Sequence, residues 1–216
     1  MLAINMSYVL HERSSSRTVR HACGDARRFY LRHSMLLTRF ERLSDEELLA
    51  ATMITPGIRG GLTDGVRPGM ILTASLGLSE LLPRALSLSF PAVAGETMSR
   101  HHILDDLEPG TSPVYIPLFR GRAGLQSVTL ADRDRPVAVM ALVVRPGATS
   151  LLLSGSIVPA EQLAGYDELV EVPAVRRGFE SIVRDYVDQW CPPRALWDRP
   201  AEEQLAELGA LTPGSD

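Results

Sequence analysis

The 216-residue sequence predicts an α+β fold, an antiparallel β-sheet of four to six strands with a meander at about 114–153, packed by an N-terminal helix (about 25–43) and a C-terminal helix (about 174–190). Three observations carry this reading. Apolar residues recur at three-and-four spacing in the two helical stretches. The run Val137–Val144 is apolar at every position, as in a strand covered on both faces. Short polar turns separate the segments between 114 and 153, and short connections favour neighbouring antiparallel pairs.

In chain order, residues 1–20 are polar, carry Ser14, Ser15 and Ser16, and lack periodicity. They are expected to form a flexible N-terminal arm with a short strand at Met6–Leu10. Asp25 caps the first helix, whose apolar stripe is Ala26, Phe29, Tyr30, His33, Leu36, Leu37, Phe40 and Leu43. Ser44 followed by Glu47 is a capping-box pattern opening a short helix that runs to about Thr52. Residues 55–69 hold five glycines and two prolines, so the backbone is expected to turn there. A strand at Met70–Leu76 and a short helix at Ser79–Leu88, with Pro83 in its first turn, follow. The meander comprises Val114–Phe119, Leu125–Leu130, Pro136–Val144 and Ser150–Leu153.

The last firm helix places Val175, Phe179, Ile182, Val183, Tyr186, Val187 and Trp190 on one stripe, and Cys191-Pro192-Pro193 stops it. Residues 21–191 are thus read as a single α+β domain, and 192–216 as a C-terminal tail with a short helix at 201–208. One echo is visible: Thr63-Asp64-Gly65-Val66-Arg67-Pro68 and Ala131-Asp132-Arg133-Asp134-Arg135-Pro136 each lead a charged turn and a proline into an apolar strand.

Composition excludes several functions. All 22 basic residues are arginine, so there is no lysine for a Schiff base or for a Walker-type nucleotide clamp, and every cationic contact is a planar guanidinium. A formal charge of −4 argues against a general nucleic-acid binder. Charge is uneven, with arginines crowding residues 11–42 and acids prevailing from Glu161 onward. The two cysteines, Cys23 and Cys191, form no CxxC pair, so no zinc knuckle or disulfide framework is indicated. The N-terminus lacks an export signal, and no stretch of about 18 apolar residues occurs. A cytoplasmic location without membrane attachment is expected.

The candidate chemistry centres on Ser99–Glu108. In a helix, His101 would lie over Asp105 and His102 over Asp106, a carboxylate-oriented imidazole arrangement suited to acid-base catalysis. Arg100, Arg120 and Arg122 are the candidate ligand-binding cations for an anionic group. No metal-binding spacing and no cofactor motif is present, so neither a metal nor a cofactor is expected.

The letters HHILDD resemble the HHxxxDG motif of condensation domains and chloramphenicol-acetyltransferase-type enzymes, with Leu107 where that motif has glycine; the likeness implies acyl transfer. The unit LADRDRPVAVMALVV resembles the central hairpin of PAS and GAF sensor domains, which implies a ligand-sensing role over about 70–155. A third resemblance, carried by SMLLTRFE and GRAGLQSVTLADRDRPVAVMALVVRP, is to the chorismate lyase and UTRA ligand-binding fold. Met140 and Ala141 stand where that lyase needs its acidic residue, so only ligand binding would carry over.

The leading expectation is a small-molecule-binding sensory or regulatory domain of a cytoplasmic bacterial-type protein. The alternatives are an enzyme acting on a small acyl or carboxylate substrate with a His/Asp acid-base cluster and an arginine anion clamp, and a non-catalytic protein–protein interaction module. The expected partners are a small-molecule ligand and a second copy packed through helices, with no nucleic acid and no membrane.

Overall fold

Val137–Val144 is buried at all eight positions because it sits inside a sheet that is covered on both sides. The computed structural model describes residues 2–63, 67–73, 76–93, 101–103, 134–167 and 169–190. Its elements are α1 (Leu2–Leu10), α2 (Arg17–Glu41), α3 (Asp45–Ala51), β1 (Thr52–Ile54), α4 (Pro56–Thr63), β2 (Met70–Thr73), α5 (Leu82–Ser89), β3 (His101–Ile103), β4 (Val137–Val144), β5 (Leu151–Val158) and α6 (Pro173–Asp185). A 3-10 turn, Val187–Gln189, follows α6.

The sheet is mixed, which corrects the antiparallel meander. Its order is β1-β5-β4-β2-β3. Among the described residues only β4 and β5 are neighbouring strands that pair antiparallel, from Val137↔Val158 to Val144↔Leu151, while β1 runs parallel to β5 and β2 lies parallel between β4 and β3. The local hairpin was legible because a tight turn joins its strands. The neighbour on the other side of β4 comes from residues 70–73, far earlier in the chain, and such a parallel partner leaves no turn signal. The strands expected at 114–119 and 125–130 lie outside the described residues, as does the tail 192–216.

Strand alternation divides the interior in two. Val137, Val139, Ala141 and Val143 join Met70 and Leu72 in a first core with Met6 and Val9 of α1, Phe179, Ile182 and Val183 of α6, and Trp190. Ala138, Met140, Leu142 and Val144 join Ile71, Leu151 and Leu153 in a second core with Leu48, Ile58, Leu62, Leu82 and Leu86. Helix α2 serves both. Val19, Ala22, Cys23 and Ala26 pack into the first core, whereas Leu36 and Phe40 pack into the second, so its 25 residues, ~37 Å of helix, cross from one face of the sheet to the other.

Four further expectations change. Met6–Leu10 is helical in α1 rather than a strand, and Met6 and Val9 are fully buried. Helix α2 begins at Arg17, well before Asp25, because the Ser16 side chain accepts from the Val19 N–H as N-cap. Asp25 instead lies mid-helix, paired with His21 and Arg28. The glycine-rich stretch is helical over Pro56–Thr63. Intrinsic propensity opposes this, at ~1 kcal/mol per glycine, but a Cβ on Gly61 would lie 2.6 Å from Ile157 Cγ1. The missing side chain therefore lets α4 lie close against β5. On the opposite face Gly178 does the same for α6, its absent Cβ facing Ser156 Oγ at 2.6 Å. The C-terminal helix ends at Asp185, with Tyr186 at its C-cap and a single 3-10 turn leading to Trp190.

Other features agree with the sequence. The capping box is present in both directions, Ser44 N–H to Glu47 Oε2 at 2.8 Å and Glu47 N–H to Ser44 Oγ at 3.2 Å. The two Arg-Pro dipeptides enter neighbouring strands side by side. Met70 is level with Val137, the Gly69 N–H donates to the Pro136 carbonyl at 2.8 Å, and the Arg135 Nε donates to the Arg67 carbonyl at 3.2 Å.

Candidate functional site

Where α2 crosses the carboxyl end of β4, the two cores part and leave a half-open cleft of about 600 Å³. Three elements wall it: Phe29, Arg32 and Leu36 of α2, the 143–148 end and turn of the β4–β5 hairpin, and Asp185 at the end of α6 with Tyr186, Asp188 and Gln189 beyond it. Strand β4 runs parallel to β2 and antiparallel to β5, so the cleft lies beyond the carboxyl end of the strand at which the parallel part of the sheet meets its hairpin partner; ligand sites in open sheets with parallel strands lie at carboxyl ends.

Its floor is held by Gln189. The side-chain Oε1 accepts from the Val144 N–H at 2.9 Å and Nε2 donates to the Val144 carbonyl at 2.7 Å, both buried. The amide therefore acts as a one-residue strand partner for the end of β4. The Gly77 N–H donates to the Gln189 carbonyl, and Trp190, fully buried, bridges antiparallel to Leu76. These contacts place the segment after α6 firmly against the sheet end.

The rim is set by the hairpin turn. Gly147 and Ala148 take left-handed backbone at φ 89° and 56°; for alanine this conformation is strained. The Ala148 carbonyl accepts from Arg39 Nη1 at 2.9 Å, which ties α2 to the turn. Arg145 extends to Met53 Sδ.

Charge in the cleft is mixed. Arg32 and Arg145 bring guanidinium groups from two different elements, while Asp185 and Asp188 bring carboxylates from a third. Partial burial pushes the Asp188 carboxyl above its ordinary range, and the nearby charge of Asp25 adds to that rise. Phe29, Leu36, Leu152 and Tyr186 supply the apolar surface. Arginine from two elements beside aromatic and aliphatic residues is the chemistry that takes a carboxylate on an apolar body, although the Arg145 Nη1 is already engaged with Met53 Sδ.

Of the residues proposed from the sequence, the described His101 and His102 do not line this cleft. His101 and His102 form part of β3, the last strand of the sheet among the described residues, level with Ile71 and Leu72 of β2 and hence with Ala138 and Val139 of β4. That is five residues short of Val144, roughly 16 Å along the strand and ~10 Å across two strand spacings. The backbone at 101–103 is extended, so the helical stacking of His101 and His102 over Asp105 and Asp106 does not begin there. Arg100, Asp105, Asp106, Arg120 and Arg122 lie outside the described residues.

The cleft residues escaped the sequence reading because they come from three distant segments, each bland alone. The one available signal was the Arg145-Pro146-Gly147 turn. Among the described residues there is no group of three or more His, Cys, Asp or Glu placed to hold a metal ion. No helix among them is long and apolar enough to cross a membrane. Comparison with models of known protein families, with curated proteins and with solved structures finds no match to this chain.

Proposed function

We propose that the chain is a small-molecule-binding regulatory domain of a cytoplasmic, bacterial-type protein, with its ligand in the cleft between α2, the β4–β5 turn and the segment after α6. The observation that carries this reading is the cleft itself, about 600 Å³ and lined by Arg32 and Arg145 together with apolar residues, within the size range of small-molecule sites. The ligand class that fits is a hydrophobic or aromatic carboxylate. The carboxylate meets the two guanidiniums and the ring packs among Phe29, Leu36 and Tyr186. Because the walls belong to different elements, occupancy would fix α2 against the hairpin turn, which is how a bound molecule becomes a change of shape felt outside the site.

The test is thermal denaturation of the full chain against a panel of aromatic and aliphatic carboxylates, each paired with its neutral amide. A true ligand at 100 times its Kd stabilises by ~2.7 kcal/mol. The carboxylate but not the amide should raise Tm, and Arg32→Ala or Arg145→Ala should remove the rise. A panel without any stabilising carboxylate sinks the reading.

A further inference from the structure

The outer face of α2 is independent of the cleft, and from it we infer that this helix is a docking surface for an acidic, amphipathic protein segment. Leu31 and Met35 stand 83% and 64% exposed, with Tyr30 beside them at 65%. Spacing of four, three and four residues puts Leu31, Met35, Thr38 and Arg42 on one stripe. A shallow depression of about 570 Å³ is lined by Ser34, Met35, Thr38, Arg39 and Arg42 of that same face. Arginines stand at both ends of the apolar pair, and Arg27 and Arg42 make no ion pair among the described residues.

Charge names the partner. Residues 17–42 hold seven arginines and two carboxylates, a formal +5 in a chain of −4, so the remaining residues carry −9. An extended anionic surface such as a bilayer or a nucleic acid would attract the helix and repel the rest of the chain. A peptide-sized acid meets the helix alone. Two copies packed α2 to α2 would set arginine against arginine, so this face does not serve the homodimer through helices. Tyrosine, methionine and arginine together, without lysine, is also the composition of protein-interface centres. The occupant is therefore a segment of about four helical turns, ~22 Å to span Arg27 to Arg42, with two apolar side chains in the middle and carboxylates at both ends.

The probe is a labelled 18-residue helix-forming peptide with a leucine pair at its centre and glutamates at both ends, titrated by fluorescence anisotropy against the full chain. Saturable binding is expected, weakened at least about tenfold by Arg27→Glu with Arg42→Glu and by Leu31→Ser with Met35→Ser. All four side chains are exposed, and circular dichroism checks that the fold survives. Equal binding of a peptide with serine in place of the leucines reduces the face to charge alone and overturns the proposal. So does sedimentation with phosphatidylserine vesicles in the absence of peptide binding, or a dimer that the Leu31→Ser, Met35→Ser variant dissociates.

Discussion

The two faces of the sheet are fastened by different physics. On the α6 side, the chain after the helix is joined to β4 by a buried glutamine amide that satisfies both backbone groups of Val144. On the α5 side, the corresponding tie is Arg84, which donates to Asp45 Oδ1 and to the Glu41 and Leu43 carbonyls at the end of α2. Asp45 is 68% exposed at its side chain. Arg84 makes more hydrogen bonds than Gln189, yet water replaces them readily. The number of bonds says less about stability than what their loss leaves unpaired.

This contrast can be broken by substitution. Gln189→Leu leaves a buried N–H and C=O without partners and should cost ~2–3 kcal/mol in urea unfolding. Arg84→Ala should cost ~1 kcal/mol or less. Equal costs would erase the distinction.

A smaller effect compares the two close helix approaches. Ala at Gly61 must displace Ile157, whose Cβ lies 3.3 Å from the new atom as well as Cγ1 at 2.6 Å; net destabilisation of ~1 kcal/mol is expected despite the gain in helix propensity. At Gly178 the closest atom is the Ser156 hydroxyl, which rotates away, and Val139 Cβ at 3.6 Å is an ordinary contact. Gly178→Ala should therefore fall within ~0.5 kcal/mol of the parent. Denaturation midpoints of the two variants decide this.

The smallest effect is in pH. Glu180 is held below its ordinary 4.5 chiefly by its hydrogen bond with His11, aided by Arg184. Its stabilisation is present above that ordinary value and is lost as pH falls through the lower folded value. Asp188 runs the other way. Burial raises it above 3.8, so its favourable contribution is complete below 3.8 and lost as pH rises through the raised value. Glu180→Gln should lower Tm at pH 7 by a difference that shrinks as pH falls below 4.5, while Asp188→Asn should raise Tm slightly at pH 7. The Glu180 side chain is 14% exposed and gives the larger of the two changes, whereas Asp188 is exposed, which keeps its change under ~1 kcal/mol.

Local chemistry was legible in the sequence. The eight-residue apolar run became the central strand, the Ser44–Glu47 pattern became a capping box, and Val175, Phe179, Ile182 and Val183 became the buried stripe of α6. What failed was non-local. Nothing near residues 70–73 announces a parallel partner at 137–139, and the echo of Arg-Pro dipeptides marked that adjacency without revealing it. Glycine in α4 read as turn because propensity is a local cost, whereas the contact with Ile157 that rewards it is made across the fold. Gln189 and Val144 are 45 residues apart in sequence, so no window contains the cleft floor. The serine run read as loop because an N-cap is recognised only when the helix after it is, and the arginines at 17, 20, 27 and 28 hid the helical stripe of Val19, Ala22, Cys23 and Ala26.

Because α2 is rooted on both sides of the sheet, neither half of the protein has a private unfolding route. Detaching the helix from one half exposes its anchor in the other, so amide hydrogens of β4, α5 and α6 should exchange with solvent at one shared rate-limiting opening rather than in separate tiers.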